Sequence, residues 1–138
     1  MSWEKFRHFR RNEAWGDPDR MNIGFVYELD QFRDAVRKRF VVTRGFATTG
    51  HATDSYHYKG RAVDGRFVDE DGVSLSLAEH IAICMQAPFN GIGIYTYSPN
   101  GTFVHFDNRL SQFRRVIWVC NEPGVYRPIT ESFIKQAI

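Results

Sequence analysis

The sequence predicts an α+β fold: a single domain in which a largely antiparallel sheet packs with two or three helices. Two segments repeat their apolar residues at helical steps. Several short runs of β-branched and aromatic residues stand between them, some joined by tight turns. No repeat, low-complexity tract or linker divides the 138 residues, so residues 1–138 read as one domain. A chain of this length buries enough surface to fold without disulfide staples. Its composition supplies the core, with 43% hydrophobic residues and twelve Phe.

Residues 1 to about 20 are polar and aromatic and end in Gly16-Asp17-Pro18-Asp19, a turn signal. From about Ile23 to Phe40, the residues Phe25, Leu29, Phe32, Val36 and Phe40 recur at three- and four-residue steps, which predicts a helix. Phe40-Val41-Val42-Thr43 reads as a strand. Gly45 to Gly60 is rich in Gly, Thr, Ser, Asp and His and nearly devoid of aliphatic residues. A long segment without a core pattern inside a compact domain is functional or disordered. The strand-like Arg61-Ala62-Val63-Asp64 that follows at once favours function.

Ser76, with Glu79 three residues on, reads as a capping box opening a helix that runs to about Ala87 and is stopped by Pro88. Gly91–Tyr95, Thr102–Phe106 and Val116–Val119 read as three strands, with Pro99-Asn100-Gly101 turning between the first two. A short helix from about Thr130 closes the chain.

The net charge of +2 hides basic clusters at Lys5-Arg7-Arg10-Arg11 and Arg37-Lys38-Arg39. They read as solvated faces, and no aromatic-interleaved motif points to nucleic acid. No stretch approaches a membrane span, and Met1 to Arg11 lacks the apolar core of a signal peptide. The expectation is a monomer made in the cytoplasm, with no nucleic-acid or membrane partner. Cys84 and Cys120 stand far apart without a Cys-x-x-Cys, which fits a reducing compartment and offers no thiolate metal site.

His8 and His80 sit in basic or helix-like surroundings and read as surface or structural residues. His51, His57 and His105, beside Asp64 and Asp107, are the candidate metal donors. A zinc site gathers three or four N, O or S donors within about 2.0–2.3 Å of the ion. On a straight strand, His57 and Asp64 would lie about 23 Å apart. The chain must fold back between them, and Gly60 can take the positive φ this needs. His105 and Asp107 share one strand face, about 6.5 Å apart, so one can bind the ion while the other lies behind it. Three protein ligands with an open position are the arrangement of a catalytic zinc.

Ser55-Tyr56-His57-Tyr58-Lys59-Gly60-Arg61-Ala62-Val63-Asp64 resembles the S-x-H-x-x-G-x-A-x-D signature of the zinc D-alanyl-D-alanine carboxypeptidase family. Phe103-Val104-His105-Phe106-Asp107 resembles the later strand of that family that carries its last histidine ligand. The run from His57 to Asp64 is also similar to the amino-terminal signalling domain of hedgehog proteins, which shares the fold. The order of elements from about residue 23 to 118 agrees.

The resemblance implies that His57, Asp64 and His105 bind Zn2+, and that the chain hydrolyses peptidoglycan-type peptides. The reaction would be that of a D-Ala-D-Ala carboxypeptidase or an L-Ala-D-Glu endopeptidase. It implies action on the cell wall after release or as a phage component.

Two departures stand out. Thr102 occupies the position where several family members carry an acidic general base, which leaves Asp107 and then His51 as the candidates. Arg44-Gly45-Phe46-Ala47 stands where the family usually reads Ser-Gly-aromatic-Arg. Arg44 is either a grip for a substrate carboxylate or a surface arginine at a strand end. Ser55 is either a substrate contact or a turn residue. A zinc-bearing binding module without turnover and a phage tail-associated wall-binding protein are the alternatives.

Overall fold

Helix α1 (Ile23–Val36) starts at Asn22, whose side chain accepts from the Phe25 backbone N–H. It ends where Arg37 turns into the left-handed region at φ 57°, so the apolar stripe passes from the helix to Phe40 on strand β1 (Arg39–Arg44). The computed structural model describes residues 2–110 and 115–138. Strand β2 (Ala62–Val68) follows the polar loop, and helix α2 (Leu77–Gln86) begins at Ser76, which caps the Glu79 N–H as its spacing predicts. Glu79 accepts from the Ser76 hydroxyl instead of reaching the Ser76 backbone. Strands β3 (Gly91–Tyr95), β4 (Phe103–Asp107) and β5 (Val116–Glu122) lie close to their expected places. Strand β6 (Val125–Pro128) was not expected, and helix α3 (Glu131–Ala137) opens on the capping side chain of Thr130.

The fold is α+β, with one six-stranded sheet in the order β1-β2-β4-β3-β5-β6. Every pairing is antiparallel except β3 with β5. Strand alternation divides the sheet into two faces. Val63, Phe67, Ile92, Ile94, Val104 and Phe106 are buried on one face. Phe32 of α1 meets Phe67 and Phe106 there with its ring edge-on. Asp64, His105, Asp107 and Trp118 point to the other face.

The first twenty residues, read from the sequence only as polar and aromatic, form a strap that supplies Trp3, Phe6, Phe9 and Trp15 to the core. Burying each such ring contributes roughly 1.5–3 kcal/mol. Asp30 of α1, itself buried, pins the strap by accepting from the backbone N–H groups of Arg7 and His8. The basic residues here are largely used within the fold. Arg7 pairs with Asp34, Arg11 pairs with Asp19, and Arg10 donates to the carbonyls of Phe6 and Phe9. Among the described residues, no helix is long and apolar enough to cross a membrane. Cys84 and Cys120 are both buried and unbridged.

Candidate metal centre

The fold-back that the His57–Asp64 spacing demands is a 3₁₀ turn, Tyr56–Lys59. Ser55 caps it by accepting from the His57 N–H. Gly60 ends it at φ 66°, and a side chain there would run into the Arg20 carbonyl. His57 therefore rises from the loop while Asp64 sits on β2. In the sheet register Asp64 is the direct partner of His105 on β4. Cross-strand partners of this kind keep their Cβ atoms about 4.5–5.5 Å apart. The turn and the register together bring the three donors within 4.8 Å of one another.

Each imidazole is oriented by its second nitrogen. His57 Nδ1–H donates to the Gly45 carbonyl at 2.8 Å, which turns Nε2 toward Asp64 Oδ1 at 3.3 Å. His105 Nε2–H donates to Asp107 Oδ2 at 2.6 Å, which turns Nδ1 toward the same Asp64 oxygen at 2.9 Å. Asp107, 1% exposed, is itself gripped by the Arg109 fork, Nε to Oδ1 at 2.8 Å and Nη2 to Oδ2 at 2.7 Å. Carboxylate–histidine–metal chains fix the ring and raise its basicity in this way.

The electrostatics are those of a site built for a cation. Burial would lift the Asp64 carboxyl, but hydrogen bonds from His105 and His57 hold it below the usual carboxylate range. Burial likewise works against Asp107, and Arg109 and His105 outweigh it. For His105, burial disfavours the charge, yet Asp107 and Asp64 raise its pKa to about 9. The two carboxylates thus favour a positive charge at His105. Two imidazole nitrogens, each oriented by a hydrogen bond at the ring's other nitrogen, and one carboxylate oxygen fit a borderline ion such as zinc. The group His57, Asp64 and His105 can hold a metal ion.

The donors lie in a cleft of about 850 Å³ on the sheet face away from the helices. The structure brings all seven sequence-derived site residues to it, though not in the roles expected for each. His51 stacks on His57 with ring centroids 4.1 Å apart, and its Nε2 accepts from Arg44 Nη1 at 3.3 Å. Partial burial, then the His57 ring, push the His51 pKa below its ordinary value. Asp107 sits behind His105 with both oxygens engaged, so the reading of Asp107 as proton acceptor does not fit its placement. Its lone pairs face His105 and Arg109 rather than the cleft.

Arg109, Tyr56, Trp118 and the exposed Asp54 also line the cleft and were not singled out. Arg109 was accessible to sequence reasoning, because it continues the two-residue step His105, Asp107, Arg109. Trp118 carried no local signal, since its place depends on the β3–β5 pairing. No protein-family model matches the chain, and no curated protein is significantly similar to it.

Proposed function

We propose that this chain is a zinc-dependent peptidase acting on peptidoglycan-type peptides. The observation that carries the reading is the convergence of His57 Nε2, Asp64 and His105 Nδ1 within 4.8 Å, on the wall of an open cleft. The resemblance of residues 55–64 to the carboxypeptidase-family signature names the same donors. Zinc held there would polarise a scissile carbonyl and activate a water.

The chain's own residues divide the remaining work. Asp107 and Arg109 hold His105, and the Gly45 carbonyl holds His57. Arg44 stands at the rim, where its planar fork suits a substrate carboxylate. Ser55 caps the turn that carries His57 and also faces the cleft. With Asp107 engaged, His51 is the candidate for proton transfer that remains at the cleft surface.

The test is mass spectrometry of peptidoglycan digested with the zinc-loaded protein, with His105→Ala as control. New free termini in the stem peptides, absent from the control, are expected. Intact peptides after digestion by a protein that carries stoichiometric zinc would sink the reading. A second reading, a zinc-bearing module that binds wall peptides without cutting them, is favoured by Thr102 and by the engagement of Asp107. Muropeptide binding with no new termini would select it.

A further inference from the structure

Gly93 on β3 is the register partner of two site residues, His105 on β4 and Trp118 on β5. A Cβ at Gly93 would lie 2.6 Å from Trp118 Nε1 and 2.8 Å from the Tyr95 ring. Both rings therefore fold over the β3 backbone into the space a side chain would occupy. Trp118 comes to 5.4 Å from the His105 ring, measured between centroids. Tyr95 is held on its other side by Phe103, stacked at 4.6 Å and 6°. The phenol is thus clamped above the glycine, one strand spacing, about 4.8 Å, from the strand that carries His105.

The clamp also orients the hydroxyl. Trp118 Nε1–H donates to the Tyr95 oxygen at 3.2 Å. An indole nitrogen is a donor only, so it occupies an acceptor position of the phenol and leaves the phenol's own hydrogen to another partner. Among the described residues, no hydrogen bond donated by Tyr95 takes up that hydrogen. Burial favours the protonated phenol, which keeps it a donor across the working pH range. Tyr95 lines the same cleft as Asp64 and His105.

We propose that Tyr95 is a further catalytic residue, whose hydroxyl donates a hydrogen bond to the scissile carbonyl oxygen of a bound peptide as that oxygen gains negative charge. The proposal rests on the peptidase reading above. Trp118 and Phe103 are its positioning residues. No bond is made or broken at Tyr95 and its proton is not transferred; it stabilises charge that develops on the substrate. A donor fixed in place before the reaction needs no reorganisation when the charge appears, which is why such donors count.

Tyr95→Phe tests this, because it keeps the ring and its stack and removes only the hydroxyl. The full zinc-loaded chain should retain its zinc. Its kcat on a muropeptide should fall about 10²-fold, the scale of losing one such donor, with KM little changed and the shape of the pH profile unaltered. A second measurement does not depend on turnover: binding of a phosphinic peptide, which carries a tetrahedral anion where the scissile carbonyl would lie. Its affinity should fall about 10–10²-fold in Tyr95→Phe, while affinity for the parent peptide stays the same.

Trp118→Phe, which removes the indole donor, should give a smaller loss in the same direction. Equal phosphinic-peptide affinity in wild type and Tyr95→Phe would overturn the proposal. Phosphinic-peptide binding that depends on Tyr95, in a protein that cleaves nothing, would remove the peptidase reading and leave the hydrogen bond standing. Absence of both cleavage and phosphinic-peptide binding would remove both.

Discussion

His80 and His105 are both buried histidines anchored to strand β2, and they are buried for opposite reasons. β2 stops pairing with β4 at Gly65↔Val104, and His80 takes over beyond that point, its Nε2 accepting from the Phe67 N–H. Its Nδ1–H donates to the Ser76 carbonyl. Both ring nitrogens are thus satisfied by neutral backbone groups, one as acceptor and one as donor. A second proton would set N–H against N–H. His105, paired with Asp64 three residue positions back along β2 from Phe67, lies between the carboxylates of Asp64 and Asp107. The two carboxylates favour a positive charge in or beside that ring. A buried histidine with backbone partners on both nitrogens ties elements together, whereas one between carboxylates marks a place for a cation.

The largest expected effect tests that contrast directly. His57→Ala, Asp64→Ala and His105→Ala should each lose stoichiometric zinc by elemental analysis, because each removes one of three donors. His80→Ala should keep zinc and lose about 1–3 kcal/mol of stability, from the Phe67 N–H left without an acceptor. Zinc loss in His80→Ala, or retention in the triad variants, would break the distinction.

Next in size is the split between His51 and Asp107. His51→Ala should leave zinc in place and lower turnover by about 10²–10⁴-fold, the range of general acid–base catalysis. Asp107→Asn should instead weaken zinc binding about 10–100-fold, as losing the carboxylate behind a ligating histidine does. A competition titration with a chelator reads the second directly. Unchanged zinc affinity with lost turnover in Asp107→Asn would return the proton-accepting role to Asp107.

The pH dependence of the metal-free protein sharpens the same comparison. The His105 pKa is raised to about 9, so its contribution is present in full below the ordinary 6.5 and is lost as pH rises through about 9. His80 has the opposite sign. Burial lowers its pKa, despite the opposing backbone contacts at Ser76 and Leu75, so its contribution is present above 6.5 and lost as pH falls toward the lowered value. Thermal melts should decline on both sides of about pH 6.5. His80→Phe should flatten the acid limb and His105→Ala the alkaline limb. Zinc affinity should rise about tenfold per pH unit between roughly 6.5 and 9, because binding must displace the His105 proton. A zinc affinity independent of pH across that window would show that no such proton is displaced.

The elements that sequence reading found are those governed by neighbours in the chain. Ser76 and Glu79 predicted the start of α2 because a cap bonds its own first turn. The fold-back at Gly60 was legible because His57 and Asp64 cannot meet without it. The N-terminal strap was missed because nothing in the spacing of Trp3, Phe6, Phe9 and Trp15 shows that another element will cover them. Their burial depends on Asp30, some twenty residues on, capturing two backbone N–H groups.

For the candidate site, the sequence by itself determined the donors and one of their partners. His105 and Asp107 stand two apart on a strand, and a period of two puts them on one face whatever the rest of the chain does. Only the tertiary structure decided how these residues are used. The β2–β4 register set Asp64 opposite His105. The Gly45 carbonyl selected Nε2 of His57, and Arg109 took up the carboxylate of Asp107. The parallel pairing of β3 with β5 carried Trp118 across Gly93 to Tyr95. Alternation along a strand is a local property of the backbone. Which strand lies beside it, and at what offset, is settled by burying the far face of the sheet, and that involves the whole chain at once.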